Sequence, residues 1–420
     1  MKKYRSRIAD AELKRKLEAF GAVSIVGPKW CGKTTTAEQV AKSAAYMQDP
    51  DMAEEYKRVM KIKPSLLLEG EKPRLIDEWQ NEPSIWDTVR YNVDKLSEEG
   101  LYILTGSVAI DESKIGHSGA GRIGRMKMST MSMYESGDST GEVSLSGMFS
   151  GGEISGNSPV SIEDMAAILV RGGWPNSIGK RPEIAYDHIE GYCETILRSE
   201  VKMVDGADRD SNKMRLILRS ISRNISTSAP DTTILADIEK KDNGLVHLNT
   251  LRAYEKVLRE IYVIDDLPAW TPKLRSKATV RTSDIRHLSD PAVAAYFLGA
   301  SAKDLLTDTR TFGLLFESLV IRDLRVYARS LGGEVFHYRD SDGLEADAII
   351  NLHSGGWGAA EVKLGSGMID DAAKDLLKIK DKVESETVGS PAFLAVITAT
   401  KYAYTREDGI YVVPIGCLKP

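Results

Sequence analysis

The chain has 420 residues, of which 42% are hydrophobic and 28% charged, an ordinary composition for a globular protein of about three domains. Its formal net charge of -5 gives the whole molecule no attraction for nucleic acid, so any such binding must be local. The three cysteines are far apart, and no apolar run approaches the roughly 20 residues that span a bilayer, so we expect no disulfide framework, zinc site or membrane segment. A cytoplasmic protein is the expectation that follows.

The N-terminal third alternates predicted helices with predicted strands. An amphipathic helix comes first and is followed by a buried strand, a glycine-bearing loop and a second helix. The predicted elements are helices at 10–20 and from about Lys33 to Met47, and strands at Ala22–Gly27, Pro73–Trp79 and Leu101–Ser107. This alternation predicts an α/β domain whose parallel sheet is covered on both faces.

The residues GPKWCGKT, Gly27 to Thr34, fit the phosphate-binding loop pattern G-x-x-x-x-G-K-[ST]. With glycine usage near 7%, a chance match in a chain of this length has odds of roughly one or two per cent. The glycines let backbone N–H groups wrap phosphates, Lys33 would reach the β- and γ-phosphates, and Thr34 would hold Mg²⁺. The predicted ATP contacts are Gly27, Pro28, Lys29, Trp30, Cys31, Gly32, Lys33, Thr34, Thr35 and Thr105.

The next two strands end in residues suited to phosphate chemistry. LIDEW ends in Asp77 and Glu78 at the carboxyl edge of the sheet, where ligands of α/β proteins bind. Asp77 would support Mg²⁺, and Glu78 would orient or deprotonate the attacking water. LYILTGS offers Thr105 or Ser107 to sense the γ-phosphate, with a plain turn of small polar residues as the alternative.

The glycine-rich stretch HSGAGRIGRMKMS carries Arg122 and Arg125. An arginine on a loop beyond the core strands is either an ordinary surface residue or a finger that neutralises phosphoryl charge from a neighbouring subunit. We take Arg122 as the candidate finger. This role implies a homo-oligomer.

Five segments together resemble one family, the predicted prokaryotic AAA-type ATPases with a C-terminal domain of unknown function. The segments are GPKWCGKTTTAEQVAKS, LIDEWQNEPSIWDTVR, LYILTGS, HSGAGRIGRMKMSTMSMYES and LVRGGWP. The resemblance covers nearly the whole chain. It implies ATP binding, with Lys33, Thr34, Asp77 and Glu78 at the positions of the Walker motifs.

The middle of the chain, Asp231 to Trp270, has the pattern helix, turn, helix, strand and resembles a winged helix. Residues 249–260 would be the recognition helix. Its apolar face is Leu251, Tyr254, Leu258 and Ile261, and its basic face is Arg252, Lys256 and Arg259. Glu255 and Glu260 sit among these bases, so a solvated face is as plausible as DNA contact. The basic stretch Thr271–Arg281, with Lys273, Arg275, Lys277 and Arg281, tilts the balance toward phosphate binding.

The last block predicts a helix, three strands, a helix and a strand. Alternation in LEADAIINLHSGGWGAAEVKL predicts a hairpin turning near Ser354, with Asp347 opposite Glu361 on the face of Lys363. Two opposed carboxylates repel, so a cation should lie between them, and Mg²⁺ suits such a site. Glu317 points along the apolar face of the preceding helix, where either a metal or Lys363 would relieve its charge.

This arrangement resembles the PD-(D/E)xK nuclease fold. The resemblance makes Glu317 the helical acid, Asp347 and Glu361 metal ligands, and Lys363 the group that orients water or stabilises charge in phosphodiester hydrolysis. The sequence departs from the pattern because Ala346, not proline, precedes Asp347. An active nuclease, an inactive nuclease-like scaffold and chance salt bridging all remain open.

We therefore predict four regions: an AAA-like P-loop domain at 1–155, a helical segment at 156–205, a winged-helix-like domain at 206–275 and an α/β nuclease-like domain at 285–420. The predicted function is a Mg²⁺-dependent ATPase coupled to a nuclease-like domain that acts on DNA or RNA. The alternative is an ATP-dependent switch whose inactive C-terminal domain binds a protein partner.

Overall fold

The computed structural model describes residues 4–109, 116–200, 209–242, 246–271, 283–384 and 389–420. They divide into two compact units. Among these residues, the first unit contains those up to Thr130, residue 200 and Val257–Val263, and the second contains the rest. No helix within the described ranges is long and apolar enough to cross a membrane.

The first unit is built on a parallel sheet of five strands in the order β2-β3-β4-β1-β5. Its strands are β1 (Ala22–Val26), β2 (Ser43–Tyr46), β3 (Arg74–Asp77), β4 (Tyr102–Gly106) and β5 (Ile123–Lys127). Its helices are α1 (Ala9–Ala19), α2 (Lys33–Glu38), α3 (Ala53–Ile62) and α4 (Ile85–Leu96). Strand β4 lies between the strand that leads into the phosphate-binding loop and the strand that ends in Asp77.

Alternate residues of the central strands enter two separate cores. In β4, Tyr102 and Leu104 pack with Trp79 and Trp86, whereas Ile103 packs with the cluster that contains Leu13 of α1. Both faces of the sheet are thus covered, and the predicted α/β domain with a parallel sheet is confirmed.

One predicted element of this unit is wrong. The helix expected from Lys33 to Met47 ends at Glu38, and Ser43–Tyr46 form the edge strand β2. The pairing of β2 with β3 supplies the backbone hydrogen bonds that a longer helix would have supplied. Burial of Ala45 against the sheet therefore outweighs the good helix propensity of this alanine-containing stretch.

The second unit begins with short elements and helices. They are α5 (Met133–Ser136), β6 (Val143–Ser144), α6 (Leu145–Phe149), β7 (Gly156–Asn157), α7 (Ile162–Arg171), α8 (Pro182–Thr195), α9 (Ser211–Arg223), α10 (Asp231–Asp242), α11 (Leu248–Glu260), α12 (Pro291–Leu298) and α13 (Ala302–Thr307). The last turn of α11 belongs to the first unit. Isolated antiparallel bridges join Ile264 to Leu288 and Leu267 to Ile285. The basic residues Lys273, Arg275, Lys277 and Arg281 lie outside the described residues.

The remainder of the second unit is a seven-stranded sheet in the order β7-β12-β13-β11-β10-β9-β8. Its elements are α14 (Thr309–Ser330), β8 (Gly333–Arg339), β9 (Glu345–Leu352), β10 (Trp357–Lys363), α15 (Ile369–Glu384), β11 (Phe393–Thr398), β12 (Tyr402–Thr405) and β13 (Tyr411–Pro414). Strands β8, β9 and β10 are antiparallel, and β11 is parallel to β10. The order helix, three strands, helix, strand expected from the sequence is present as far as β11, and β12 and β13 are additional strands that the sequence did not predict.

The division into units differs from the predicted boundary at residue 155. The second unit already begins at Met131, and of the described residues after that point only residue 200 and Val257–Val263 belong to the first unit. Within it, β6 pairs with β14 (Leu418–Lys419) and β7 pairs with β12. Strands near the end of the chain therefore pair with the stretch that precedes α7.

Candidate functional site

The loop between β1 and α2 has the backbone geometry that a phosphate-binding loop requires. Gly27 and Gly32 have φ angles of 148° and 105°, in the region that side chains disfavour. A Cβ atom on Gly27 would lie 2.0 Å from the Met128 carbonyl oxygen, so no larger residue fits there. Trp30 also has a positive φ of 64°, although it is bulky and 48% exposed. The loop conformation is therefore strained at one of its own residues.

Lys33 is 5% exposed and lies against its own loop. Its Nζ donates to the carbonyl oxygens of Gly27 at 3.0 Å and Pro28 at 2.9 Å. A buried ammonium group is stable only when such acceptors replace water. Both partners are neutral carbonyl groups, so the positive charge of Lys33 remains available to a phosphate that enters the loop.

Three of the predicted site residues, Asp77, Thr34 and Thr105, are in contact. Asp77 Oδ1 accepts hydrogen bonds from Thr34 Oγ1 at 2.6 Å and Thr105 Oγ1 at 2.5 Å. The contact follows from topology, because Asp77 and Thr105 are partners in the parallel pairing of β3 with β4. The structure thus brings together a hydroxyl and a carboxylate of the kind that hold Mg²⁺ in P-loop proteins.

Glu78 follows β3 in a left-handed conformation, with φ 52° and ψ 45°. Its Oε2 accepts hydrogen bonds from Ser107 Oγ at 3.2 Å and from Gln80 Nε2. These two donors fix the direction of the carboxylate. Gln80 is a contact that the sequence reasoning missed, although its position two residues after Glu78 is compatible with a local turn.

The remaining predicted ATP contacts differ in exposure. Pro28 and Cys31 are buried, Lys29 is half-buried and Thr35 is exposed in the first turn of α2. The Cys31 thiol lies 3.8 Å from the Met128 carbonyl oxygen, which packs the loop against the residue that follows β5. Side-chain contact with ATP at these positions stays a prediction.

Arg122 is not near the phosphate-binding loop of its own chain. It precedes β5, whereas the loop follows β1, and the two strands are parallel with Ala22 opposite Ile123. At about 3.3 Å per residue, the strands separate the two ends by at least about 13 Å. Arg122 instead pairs with Asp94 at 2.7 Å. A role as a finger toward another subunit stays a prediction.

The second predicted site lies on β9 and β10. The antiparallel register pairs Ala348 with Ala360, and one further step sets Asp347 opposite Glu361. Between Phe336 and Tyr338 the pairing of β8 with β9 shifts register. This irregularity falls beside Asp347, and such bulges re-aim side chains at the edges of sites. Asp347 Oδ2 also accepts the Val362 backbone N–H at 2.7 Å.

Lys363 lies between the two carboxylates. Its Nζ is 2.5 Å from Glu361 Oε2 and 3.6 Å from Asp347 Oδ2. The predicted grouping of these three side chains is therefore present. The positive charge that the sequence analysis required between the acids is supplied here by the lysine.

Charges within this group shift the pKa values of Glu317, Glu361 and Lys363. Burial raises the pKa of the Glu361 carboxyl well above its usual range, Asp347 raises it further, and Lys363 opposes both. Glu317 behaves in the same way, because burial and then Asp347 raise its pKa well above its usual value. Burial lowers the pKa of Lys363, but Asp347 and Glu361 raise it more, so the net shift is upward.

The fit of this group to a metal ion is partial. Glu361 is 5% exposed, and its Oε1 is buried with no hydrogen-bond partner among the described residues. That oxygen is suited to a cation. Yet, in the part of the chain that the structure describes, no three His, Cys, Asp or Glu side chains form a group that could hold a metal as they stand. Metal binding by Glu317, Asp347 and Glu361 stays a prediction that requires the Lys363 ammonium to move.

The candidate recognition helix α11 exposes fewer acidic side chains than its sequence suggests. Glu255 is 4% exposed and pairs with Arg286 at 2.6 Å, so it is not part of the outer face. Arg252, Lys256 and Arg259 are exposed. Arg252 pairs with Asp231 at 3.0 Å, which balances part of this positive charge.

Comparison with known families divides the chain into three matched stretches. Residues 19–137 match the AAA domain. Residues 162–304 match a domain of unknown function (DUF8612), and residues 312–418 match another domain of unknown function (DUF4143).

Two curated mycobacterial proteins are similar over almost the whole chain. They are the Uncharacterized protein Rv2008c of Mycobacterium tuberculosis and the Uncharacterized protein Mb2031c of Mycobacterium bovis. Each is 21% identical over 412 residues, which cover 97% of this chain and 83% of the relative.

Solved structures show weaker likeness. The Walker-type ATPase PABY2304 of Pyrococcus abyssi is 14% identical, with a TM-score of 0.41 over 69% of this chain and 94% of its own. The Aeropyrum pernix ORC1 protein in complex with DNA is 12% identical, with a TM-score of 0.26 over 72% of this chain and 94% of its own. Neither score is high enough to support an inference. The AAA domain match, together with the loop at 27–34, identifies the N-terminal part of the chain as an AAA-type P-loop ATPase domain.

Proposed function

We propose that this protein hydrolyses ATP in a Mg²⁺-dependent reaction and couples it to a metal-dependent nuclease in its C-terminal part. The AAA domain supports the ATPase, and the buried Oε1 atom of Glu361, which has no hydrogen-bond partner among the described residues, carries the nuclease proposal. The two activities use separate sets of side chains, so each can be tested without the other.

In the ATPase, the residues of this chain bind phosphate and position water. Lys33 exchanges the Gly27 and Pro28 carbonyls for phosphate oxygens. Glu78, fixed by Ser107 and Gln80, holds and deprotonates the attacking water. Thr34 and Asp77 would hold Mg²⁺, which when bound neutralises charge on the β- and γ-phosphates.

In the nuclease, the acids and the lysine divide two tasks. Asp347, Glu361 and Glu317 would hold a divalent ion, whose chemistry when bound is to neutralise phosphate charge and lower the pKa of water. Lys363 would then leave the acids and orient that water or stabilise the developing charge on phosphate. The buried Oε1 atom of Glu361 supports binding of the divalent ion, because a cation would supply the partner that this oxygen lacks among the described residues.

Nucleic acid is the proposed substrate because a divalent ion held by carboxylates promotes hydrolysis of phosphodiesters. The exposed Arg252, Lys256 and Arg259 on α11 support local phosphate binding despite the net charge of -5. Burial of Glu255 removes one of the two acids that weakened this interpretation, the other being Glu260.

A switch with an inactive C-terminal part is the second candidate. It is favoured by the salt bridges of Lys363, which already neutralise the two acids, and by Ala346 in place of proline. In that case ATP would control binding of a protein partner, with no cleavage of any nucleic acid.

The test is a cleavage assay with Mn²⁺ or Mg²⁺ and a panel of single- and double-stranded DNA and RNA. Glu361→Gln should reduce cleavage by about 100-fold or more, because one metal ligand loses its charge. Glu334→Gln is the matched control, since Glu334 is a glutamate of β8 in the same sheet with a side chain that is 64% exposed. Cleavage by the Glu361→Gln protein at the wild-type rate would exclude this site, and an inert wild type would favour the switch.

A further inference from the structure

The segment before α1 contacts the phosphate-binding loop. Arg7 is 7% exposed, and its guanidinium Nη1 donates to the Cys31 carbonyl oxygen at 2.7 Å. Its Nη2 donates to the Ser129 carbonyl oxygen at 2.9 Å. We propose that Arg7 is a positioning residue for ATP binding, which acts by holding the Cys31 carbonyl away from the phosphates.

The physical basis is the planarity of the peptide bond. In a trans peptide, the carbonyl of Cys31 and the N–H of Gly32 point in opposite directions. A charge-assisted hydrogen bond that fixes the carbonyl therefore also fixes the N–H. Because phosphates are bound by N–H groups that converge on one side of the loop, rotation of this peptide would replace a donor by a repelling oxygen.

The neighbouring backbone shows why such a restraint matters. Trp30 precedes Cys31 and has a positive φ of 64°, which a bulky residue adopts only when its surroundings impose it. Arg7 joins the loop to Ser129, directly after Met128, whose N–H donates to Val26 at 2.7 Å. The guanidinium thus connects the strained loop to the end of β5.

Arg7 is itself held in place. Its backbone N–H donates to Asp10 Oδ2 at 2.9 Å, and Asp10 Oδ1 accepts from the Tyr4 hydroxyl at 2.6 Å. The same hydroxyl is 3.0 Å from Thr36 Oγ1 in α2. The segment before α1 therefore contacts the loop at Cys31, helix α2 at Thr36 and the chain after β5 at Ser129. Arg7 is thus part of a hydrogen-bonded group and not a solitary surface arginine.

The proposal rests on ATP hydrolysis by the AAA domain and predicts a specific kinetic signature. Loss of a group that only shapes the loop should weaken ground-state and transition-state binding equally. KM for ATP should then rise while kcat is retained, which is not expected of a catalytic group or of partial unfolding.

The experiment compares Arg7→Gln and Arg7→Lys with wild type in steady-state ATPase assays and in titrations with a fluorescent ATP analogue. Arg7→Gln should raise KM and the analogue's Kd by about tenfold and leave kcat within about twofold, since a charge-assisted bond is lost. Arg7→Lys should fall between the two, because one ammonium cannot serve both carbonyls in the same fork geometry.

Arg74→Gln is the matched control within the same unit. Arg74 donates to the Leu67 carbonyl at 2.8 Å and to Ser43 Oγ at 3.1 Å, but it starts β3, at the opposite edge of the sheet from the loop. This variant should lose thermal stability and keep the wild-type KM. Equal rises in KM for Arg74→Gln and Arg7→Gln, or an unchanged KM in both Arg7 variants, would overturn the proposal. Absence of ATPase activity in the wild type would instead overturn the ATPase assignment itself.

Discussion

The two candidate sites each contain a lysine and acids, but they neutralise charge differently. In the P-loop site, Lys33 bonds to main-chain carbonyls, and Asp77 accepts from the neutral hydroxyls of Thr34 and Thr105. In the C-terminal site, the lysine bonds directly to the acids, as Lys363 does with Glu361. The first arrangement leaves both charges available to a ligand, whereas the second satisfies them within the protein.

This contrast predicts that Lys33 contributes strongly to ATP hydrolysis and little to folding. Lys33→Ala should reduce ATP hydrolysis by about 1,000-fold or more, because the charge that faces the phosphates is lost. Folding should change little, since no acid depends on Lys33 for neutralisation in the contacts described above. Phosphate release is the measurement. Lys57→Ala is the control, because Lys57 forms an exposed salt bridge with Glu54 in α3. Wild-type turnover by Lys33→Ala would refute the loop assignment.

The C-terminal lysine should show the opposite behaviour. Lys363→Met would leave Glu361 and Asp347 without their cation, at a cost of about 3–5 kcal/mol in the free energy of unfolding. Lys374→Met is the control, because Lys374 is 68% exposed in its pair with Asp371 and should contribute about 0–1 kcal/mol. Urea denaturation measures both. Similar losses in the two variants would contradict the contrast between the sites.

The raised pKa values of Glu317 and Glu361 predict that the stability of the protein depends on pH. The effect should be smaller than the two described above. A carboxyl whose pKa is raised on folding binds its proton more tightly in the folded chain, so stability falls as pH rises from 4.5 through the folded pKa. Each unit of pKa difference is equivalent to about 1.4 kcal/mol. Glu361→Gln should flatten this decline in urea titrations carried out at a series of pH values from 4.5 upward.

Glu334→Gln serves as the control here as well, because its side chain is mostly exposed. It should leave the pH dependence of the wild type unchanged. A wild type whose stability rises across this range would show that the acids are not destabilised by burial.

Much of both sites could be predicted because their residues follow regular strands. Alternation along β9 and β10 predicted that Asp347 lies opposite Glu361 and beside Lys363, as observed. The end of an apolar strand likewise predicted Asp77 at the ligand edge. The helix after the loop was predicted too long, since pairing of β2 with β3 is a tertiary effect that local propensity does not contain.

The contacts that the sequence did not predict involve partners distant along the chain or on the main chain. Arg7 bonds to two carbonyls, and carbonyls carry no sequence signature. Glu255 was counted with the outer face of its helix because its partner Arg286 lies 31 positions away. Mg²⁺ was the predicted cation between Asp347 and Glu361, whereas Lys363 lies there in the structure, because charge patterns alone do not distinguish an ammonium group from a metal ion.

The most direct test counts Mn²⁺ ions bound to the purified protein by electron paramagnetic resonance. We predict one site that forms only with a non-hydrolysable ATP analogue and is lost in Asp77→Asn. We also predict a nucleotide-independent site that is lost in Glu361→Gln and retained in Glu334→Gln. A protein that binds Mn²⁺ only together with nucleotide, and equally in all the C-terminal variants, would contradict the proposal of two separate metal-dependent sites.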